Sequence, residues 1–248
     1  VPVNLTKYRS RNVALSISAF KQIEAETAAA VERFGASRVG VVIGSSTSGI
    51  EEAGQAIGYR HNNACELPGY HYAQHEMGSV ALFLSEYAGL RGPSYTVSTA
   101  CSSSAKVFQS ALQLLTHGIC DAIVVGGVDS LCDLTLQGFG SLELLSPTIT
   151  NPFSGNRLGI NIGEGACLFL LTAEAGGIQL LGVGESSDAY HMSAPDPEGR
   201  GAQAAIHAAL KHSGLAPNEV TYVNLHGTGT PHNDAAEACA ISEVFGQN

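Results

Sequence analysis

Basic residues are scarce in this chain: 12 Lys and Arg stand against 22 Asp and Glu, for a formal net charge of −10. A broad nucleic-acid-binding surface wants the opposite sign, so no nucleic-acid partner is expected beyond what a local basic patch would allow. Charged residues of both signs make up only 14% of the 248 residues, against 44% apolar. That balance excludes intrinsic disorder and supplies a continuous buried core. No apolar run of about 18 residues is free of Gly, Ser or charge, so no membrane span is expected. The stretch that begins at Val1 has no basic segment followed by an apolar one, so no signal peptide is read there. None of Cys65, Cys101, Cys120, Cys132, Cys167 and Cys239 forms a C-x-x-C pair. Zinc ribbons and thioredoxin-type motifs are thereby excluded, and a reducing, cytoplasmic setting fits best.

What is present is an alternation of short apolar runs and helical patterns. Residues 39–43, 95–98, 122–125, 167–171, 178–183 and 220–225 read as buried strands. Phe20, Ile23, Thr27, Val31 and Phe34 follow helical spacing and stop at Gly35. Val107, Phe108, Ala111, Leu112 and Leu115 mark a second helix that ends by Gly118. Ala202, Ala205, Ile206, Ala209 and Leu210 mark a third, closed by Gly214. Ala238, Ile241, Val244 and Phe245 mark the last. Such alternation implies an α/β fold with a largely parallel sheet covered on both faces. Residues 44–80, rich in Gly, Ser, His and Asn, read as long loops with short helices.

Two segments carry chemistry. In Ser98-Thr-Ala-Cys101-Ser-Ser-Ser-Ala-Lys106 a strand ends, small residues allow a tight turn, and a helix begins just after the cysteine. Unpaired amides and the positive end of a helix favour a thiolate there, and the same amides suit a nearby oxyanion. A buried structural cysteine beside a serine cap is the competing reading, and the residues alone leave both open. In His226-Gly-Thr-Gly-Thr-Pro231, two glycines let a ligand approach the backbone and two hydroxyls offer hydrogen bonds. A histidine at a strand end is more often an ordinary one than a catalytic one. Asp234 and Glu237 have the spacing of a helix N-cap and its reciprocal acid.

Taken together and in order, Thr99-Ala-Cys-Ser-Ser103, Val125-Gly-Gly-Val-Asp129, Gly138-Phe-Gly140, Gly163-Glu-Gly-Ala166, Ser186-Ser-Asp-Ala-Tyr-His191 and His226-Gly-Thr-Gly-Thr-Pro231 resemble the elongating β-ketoacyl-acyl-carrier-protein synthases. The likeness runs from about residue 36 onward and is closest to the bacterial type II enzymes, with an aryl-polyene flavour. It implies a thiolase-like layered α/β/α fold with mostly mixed or parallel sheets. Residues 1–175 would be the N-terminal half, and residues 176–248 the start of the C-terminal half. The implied reaction is a decarboxylative Claisen condensation of an acyl thioester with a malonyl thioester held on acyl carrier protein, in fatty-acid or polyketide elongation. Cys101 would carry the acyl chain. His226 would assist decarboxylation and hold the enolate. Glu237 would organise the polar network, Phe139 would line the acyl pocket, and Ser193, Thr228 and Thr230 would bind the pantetheine arm. No metal or redox cofactor is called for, and a homodimer or a heterodimer with a related synthase is expected.

The family's downstream K-x-x-x-GH-type segment and glycine-rich Phe loop do not occur before Asn248, and its first strand and helix have no counterpart. The expectation is therefore an incomplete copy lacking a second catalytic histidine, with little condensing activity by itself. Lys7, Arg9, Arg11, Lys106 and Arg157 are candidates for docking an acidic carrier protein, with solvated charge as the plain alternative. His71 and His75 have metal spacing, but an interface or tunnel position is preferred for them. Two other functions compete: a non-catalytic chain-length-determining partner subunit, and another thiolase-fold enzyme acting on coenzyme A thioesters. The intact Cys101 argues against the first, and the His226 motif against the second.

Overall fold

A computed structural model describes residues 1–192 and 194–246. The chain divides into two compact units, one formed by residues 1–137 and 163–175, the other by 138–162 and 176 onward.

The first unit is built on four strands: β1 (Val39–Gly44), β2 (Ser94–Val97), β3 (Ala122–Asp129) and β4 (Gly165–Thr172). Their order is β2-β1-β3-β4; β1 runs parallel to β2 and β3, and β4 pairs antiparallel with β3. Helices α1 (Arg11–Phe20), α2 (Glu24–Phe34), α3 (Ile50–Asn63), α4 (Ser79–Ala88) and α5 (Ser103–Thr116) surround it. β1 shows why its sequence has no polar alternation. Val41 and Ile43 pack with Val13, Phe20, Val80, Phe83 and Leu84 from α1 and α4, whereas Val42 packs with Val107 and Ala111 from α5. Both faces are covered, so every residue of the strand is buried. Each such Val, Ile, Leu or Phe contributes about 1.5–3 kcal/mol. Because Gly44 aligns with Val97 and with Gly127, the carboxyl ends of three parallel strands share one rim. Ligands of open α/β sheets bind at that rim.

α6 (Asp133–Ser141) carries the chain out of this unit. The second unit holds α7 (Arg200–Ser213) and α8 (Pro231–Phe245), which pack on each other. Gly199, at φ +64°, sits against the Ala236 carbonyl and the Ala240 methyl, where a side chain would collide. Gly182 and Gly184 likewise let their segment lie directly on the backbone of α7.

Several expectations need correction. The helix read from Phe20 to Phe34 is two helices: Phe20 closes α1, and α2 starts after Ile23. The region 44–80 contains a 14-residue helix, α3, which buries only Ala53 and Ala56 and so lacks a strong apolar stripe. Ala238 is exposed on α8, whose inward residues are Ala236, Ala240 and Val244. Residues 178–183 and 220–225 are not in a strand ladder; Ile178, Leu181, Tyr222 and Val223 are exposed. A strand is a property of a pair, and these apolar runs have no ladder partner among the described residues. No helix among those residues is long and apolar enough to cross a membrane.

Candidate active site

Cys101 stands one residue before the N-cap of α5, on the turn that leaves β2 at the carboxyl rim of the sheet. Its side chain is exposed. The preceding Ala100 has φ +52°, a left-handed conformation that costs a residue with a Cβ about 1–3 kcal/mol unless its surroundings enforce it. They do. The buried Ser103 hydroxyl takes the Thr99 N–H at 2.9 Å and donates to the Ala100 carbonyl at 2.6 Å. The Ser102 hydroxyl donates to the Thr99 carbonyl at 2.8 Å. Gly44 and Gly127 have no Cβ at the two points where the ends of β1 and β3 meet the first turn of α5, at Ser103 and Ser104. A side chain at either would push the helix away. The N-terminus of α5 is thus seated on the rim beside an exposed thiol, where its amides favour negative charge.

The second unit holds the His226 segment by its backbone. The N–H groups of His226 and Gly227 donate to the two carboxylate oxygens of Glu237, at 2.5 and 2.9 Å. The Gly229 N–H donates to Asp234 at 3.1 Å, and the hydroxyls of Thr228 and Thr230 lie 2.8 Å apart. Gly227 and Gly229 have φ +54° and +73°, so both glycines are required by conformation. Gly229 is also required by contact, since a Cβ there would collide with the Thr150 hydroxyl and the Gly159 carbonyl, whereas Gly227 only rests on Pro152 and Phe153. Asp234, 1% exposed, also accepts the Phe153 N–H at 2.8 Å. Arg157 Nε lies 3.2 Å from its second oxygen, close enough for an ion pair although off-angle for a hydrogen bond.

The cap expected of Asp234 and Glu237 does not form. Pro231 starts α8 earlier, Thr230 is the N-cap, and Asp234 is the fourth helical residue. Both carboxylates reach back to the loop instead. His226, Thr228, Thr230 and Glu237 are therefore gathered in one unit; Cys101 belongs to the other. Phe139 is half-buried on α6, its carbonyl accepting the Leu144 N–H. Ser193 lies outside the described residues.

Other candidates from the sequence have the following places. Lys7 pairs with Glu86 at 3.0 Å and Arg11 with Glu164, so these two docking candidates have carboxylate partners within the chain. The Arg11 guanidinium holds the Glu164 carboxyl below the usual range, and the hydrogen bond from Tyr8 does the same for Glu86. His71 caps a short turn by accepting the Ala73 N–H, and His75 Nδ1 meets the Tyr70 hydroxyl at 2.6 Å; neither belongs to a metal-binding group among the described residues. Sequence reasoning assigned no role to Asp129 or to Ser45–Ser48. Yet one Asp129 oxygen takes the N–H groups of Ser46 and Thr47, at 2.8 and 3.1 Å, and three hydroxyls besides. The available signal was a run of hydroxyl residues directly after a fully buried strand.

A mixed sheet between helices, with a cysteine elbow at its carboxyl rim, defines the class: a thiolase-like α/β fold. The chain belongs to the β-ketoacyl synthase family, whose N-terminal domain model matches residues 14–175 and whose C-terminal domain model matches residues 178–248. Among curated relatives, 3-oxoacyl-[acyl-carrier-protein] synthase 2 of Vibrio cholerae is 33% identical over 230 residues, covering 86% of this chain and 55% of that protein. Nodulation protein E of Rhizobium meliloti is 38% identical over 179 residues, covering 68% and 44%. Among solved structures, a chain in the complex of the ketosynthase ApeO with its chain length factor ApeC, from Xenorhabdus doucetiae, superposes with a TM-score of 0.96 at 47% identity. That match covers all of this chain and 63% of the other. The chain spans about half the length of the curated relatives it matches.

Proposed function

We propose that the chain is the nucleophile-bearing part of an acyltransferase that condenses an acyl thioester with malonyl-acyl-carrier protein. The observation that carries this is the Ala100–Cys101 elbow, an exposed thiol held at the N-terminus of α5 on the rim of the parallel sheet. In the first half-reaction the Cys101 thiolate attacks the carbonyl of a carrier-bound acyl thioester and expels the carrier's pantetheine thiolate, which takes a proton from water. In the second, a malonyl thioester loses carbon dioxide, and the resulting enolate carbon attacks the acyl-cysteine carbonyl and expels the Cys101 thiolate. A thiolate suits both steps because it is a good nucleophile and a good leaving group. His226 donates a hydrogen bond to the enolate oxygen, Thr228 and Thr230 hold the pantetheine arm, and Ser193 has the same assignment. Phe139 lines the acyl pocket. Glu237 organises the site by fixing the amides of His226 and Gly227.

On this reading residues 1–175 form the N-terminal ketosynthase half and residues 176–248 belong to the C-terminal half. The partners are an acyl carrier protein and a second, related synthase subunit, as in the ketosynthase–chain length factor complex named above. A reaction of carrier-bound thioesters with a reduced nucleophile suits a cytoplasmic setting. A chain-length-determining subunit is the second reading, since the similar chain from Xenorhabdus doucetiae comes from a complex of a ketosynthase with its chain length factor. Incubation with acyl-loaded carrier protein separates the two. The acyltransferase reading expects one acyl group per chain on the Cys101 peptide and none in Cys101→Ala; a chain-length subunit stays unlabelled in both.

A further inference from the structure

We propose that Asp129 is a positioning residue for Cys101: from the carboxyl end of β3 its carboxylate gathers residues 45–48, and these hold the elbow in place. The inference rests on the acyltransferase reading of Cys101 and adds a residue to its machinery.

The connection is a chain of contacts within one unit. Asp129 Oδ1 receives the N–H groups of Ser46 and Thr47, the Thr47 hydroxyl at 3.0 Å, and the Ser45 and Ser46 hydroxyls at 3.3 Å. Ser45, Thr47 and Ser48 are buried, and Ser48 has φ +50°, so the loop is forced into a single shape around the carboxylate. Thr47 is fully used: its hydroxyl donates to Asp129 and accepts the Ser130 N–H at 3.0 Å and the Asn12 amide at 3.2 Å. From this loop two contacts lead to the nucleophile. The Ser45 N–H donates to the Val97 carbonyl at 3.2 Å, and Gly44 lies against the Ser103 backbone with no room for a Cβ. Val97 and Ser103 bracket the turn that contains Ala100 and Cys101.

The strain at Ala100 says what this bracing is for. A left-handed alanine relaxes when its neighbours let it. If the 45–48 loop loosens, Val97 and Ser103 lose a shared support, Ala100 relaxes, and the sulfur turns away from the amides that favour its ionised form. An anchor that only tidied a surface loop would have no such effect.

The test is peptide-resolved alkylation by iodoacetamide across about pH 6–9, with the exposed Cys65 of the same chain as internal reference. In the unsubstituted protein Cys101 reacts faster than Cys65. Asp129→Asn lowers the Cys101:Cys65 rate ratio by about tenfold and moves the Cys101 profile toward that of an ordinary thiol near pH 8.5. Thr47→Val, nearly isosteric and retaining Asp129, moves both in the same direction by about threefold. Thermal unfolding establishes that each variant is folded, and Thr47→Val decides if Asp129→Asn is not. An unchanged ratio and profile in a folded variant, with only the melting temperature lowered, overturns the positioning role. If unsubstituted Cys101 reacts no faster than Cys65, the acyltransferase reading falls first and takes the proposal with it.

Discussion

At the scale of single residues, positive φ angles divide into two kinds. Gly227 and Gly229 occupy the left-handed region at little cost, whereas Ala100 and Ser48 occupy it against their Cβ atoms and need neighbours to hold them there. Beside Ala100, the burial of Val42, Val107, Ile123 and Val125 on the α5 side of the sheet, at about 1.5–3 kcal/mol each, is ample to offset that strain. Gly229 is constrained twice, by its backbone angle and by Thr150 and Gly159 pressed against its Cα. Gly229→Ala should therefore destabilise the second unit by about 2–4 kcal/mol, read from urea or thermal unfolding. A loss below about 0.5 kcal/mol would mean that the loop is not packed as described.

At the scale of elements, legibility followed burial. β1 and β3 announce themselves because a strand covered on both faces is a run of Val and Ile, β4 by its apolar run although only Leu168 in it is buried, and α5 and α7 because they carry an apolar stripe and end near a left-handed glycine, Gly118 and Gly214. α3 was invisible. It buries two alanines, carries Gly54 and Gly58 in open space, and its glutamates Glu51 and Glu52 serve other helices by accepting the amides of Asp133 and Arg11. The runs at 178–183 and 220–225 have strand composition but no ladder, because composition cannot show whether a neighbour is present. The Cys101 turn was legible as a strand–turn–helix junction. The service that Asp129, Asp234 and Glu237 give to distant loop amides was not, since it joins residues as far as 84 positions apart. Local spacing had instead suggested an N-cap for the last two.

At the scale of the whole molecule, an excess of ten negative charges is held in part by carboxylates with specific partners. Glu86, Asp121, Glu164 and Asp188 are all held below their ordinary ranges: by hydrogen bonds from Tyr8, Arg38 and Arg11 for the first three, and from the Asp196 and Tyr190 amides for the last. A carboxyl more acidic in the folded than in the unfolded chain adds stability that is complete above the unfolded value and is lost as the pH falls through the folded one. The melting temperature should therefore fall as the pH drops below about 4, and fall less steeply in Glu164→Gln. A flat profile from pH 5 to about 2.5 would remove these pairs from the account.

The proposed acyl transfer depends on the bend before α5 keeping the Cys101 sulfur ionised. The most direct measurement is the single-turnover rate of acyl transfer from loaded carrier protein to the Cys101 peptide, followed by mass against pH. The prediction is a half-maximal rate at a pH well below the value of about 8.5 expected of an ordinary thiol. A half-maximum at or above that value, or a label on any other cysteine, would contradict it.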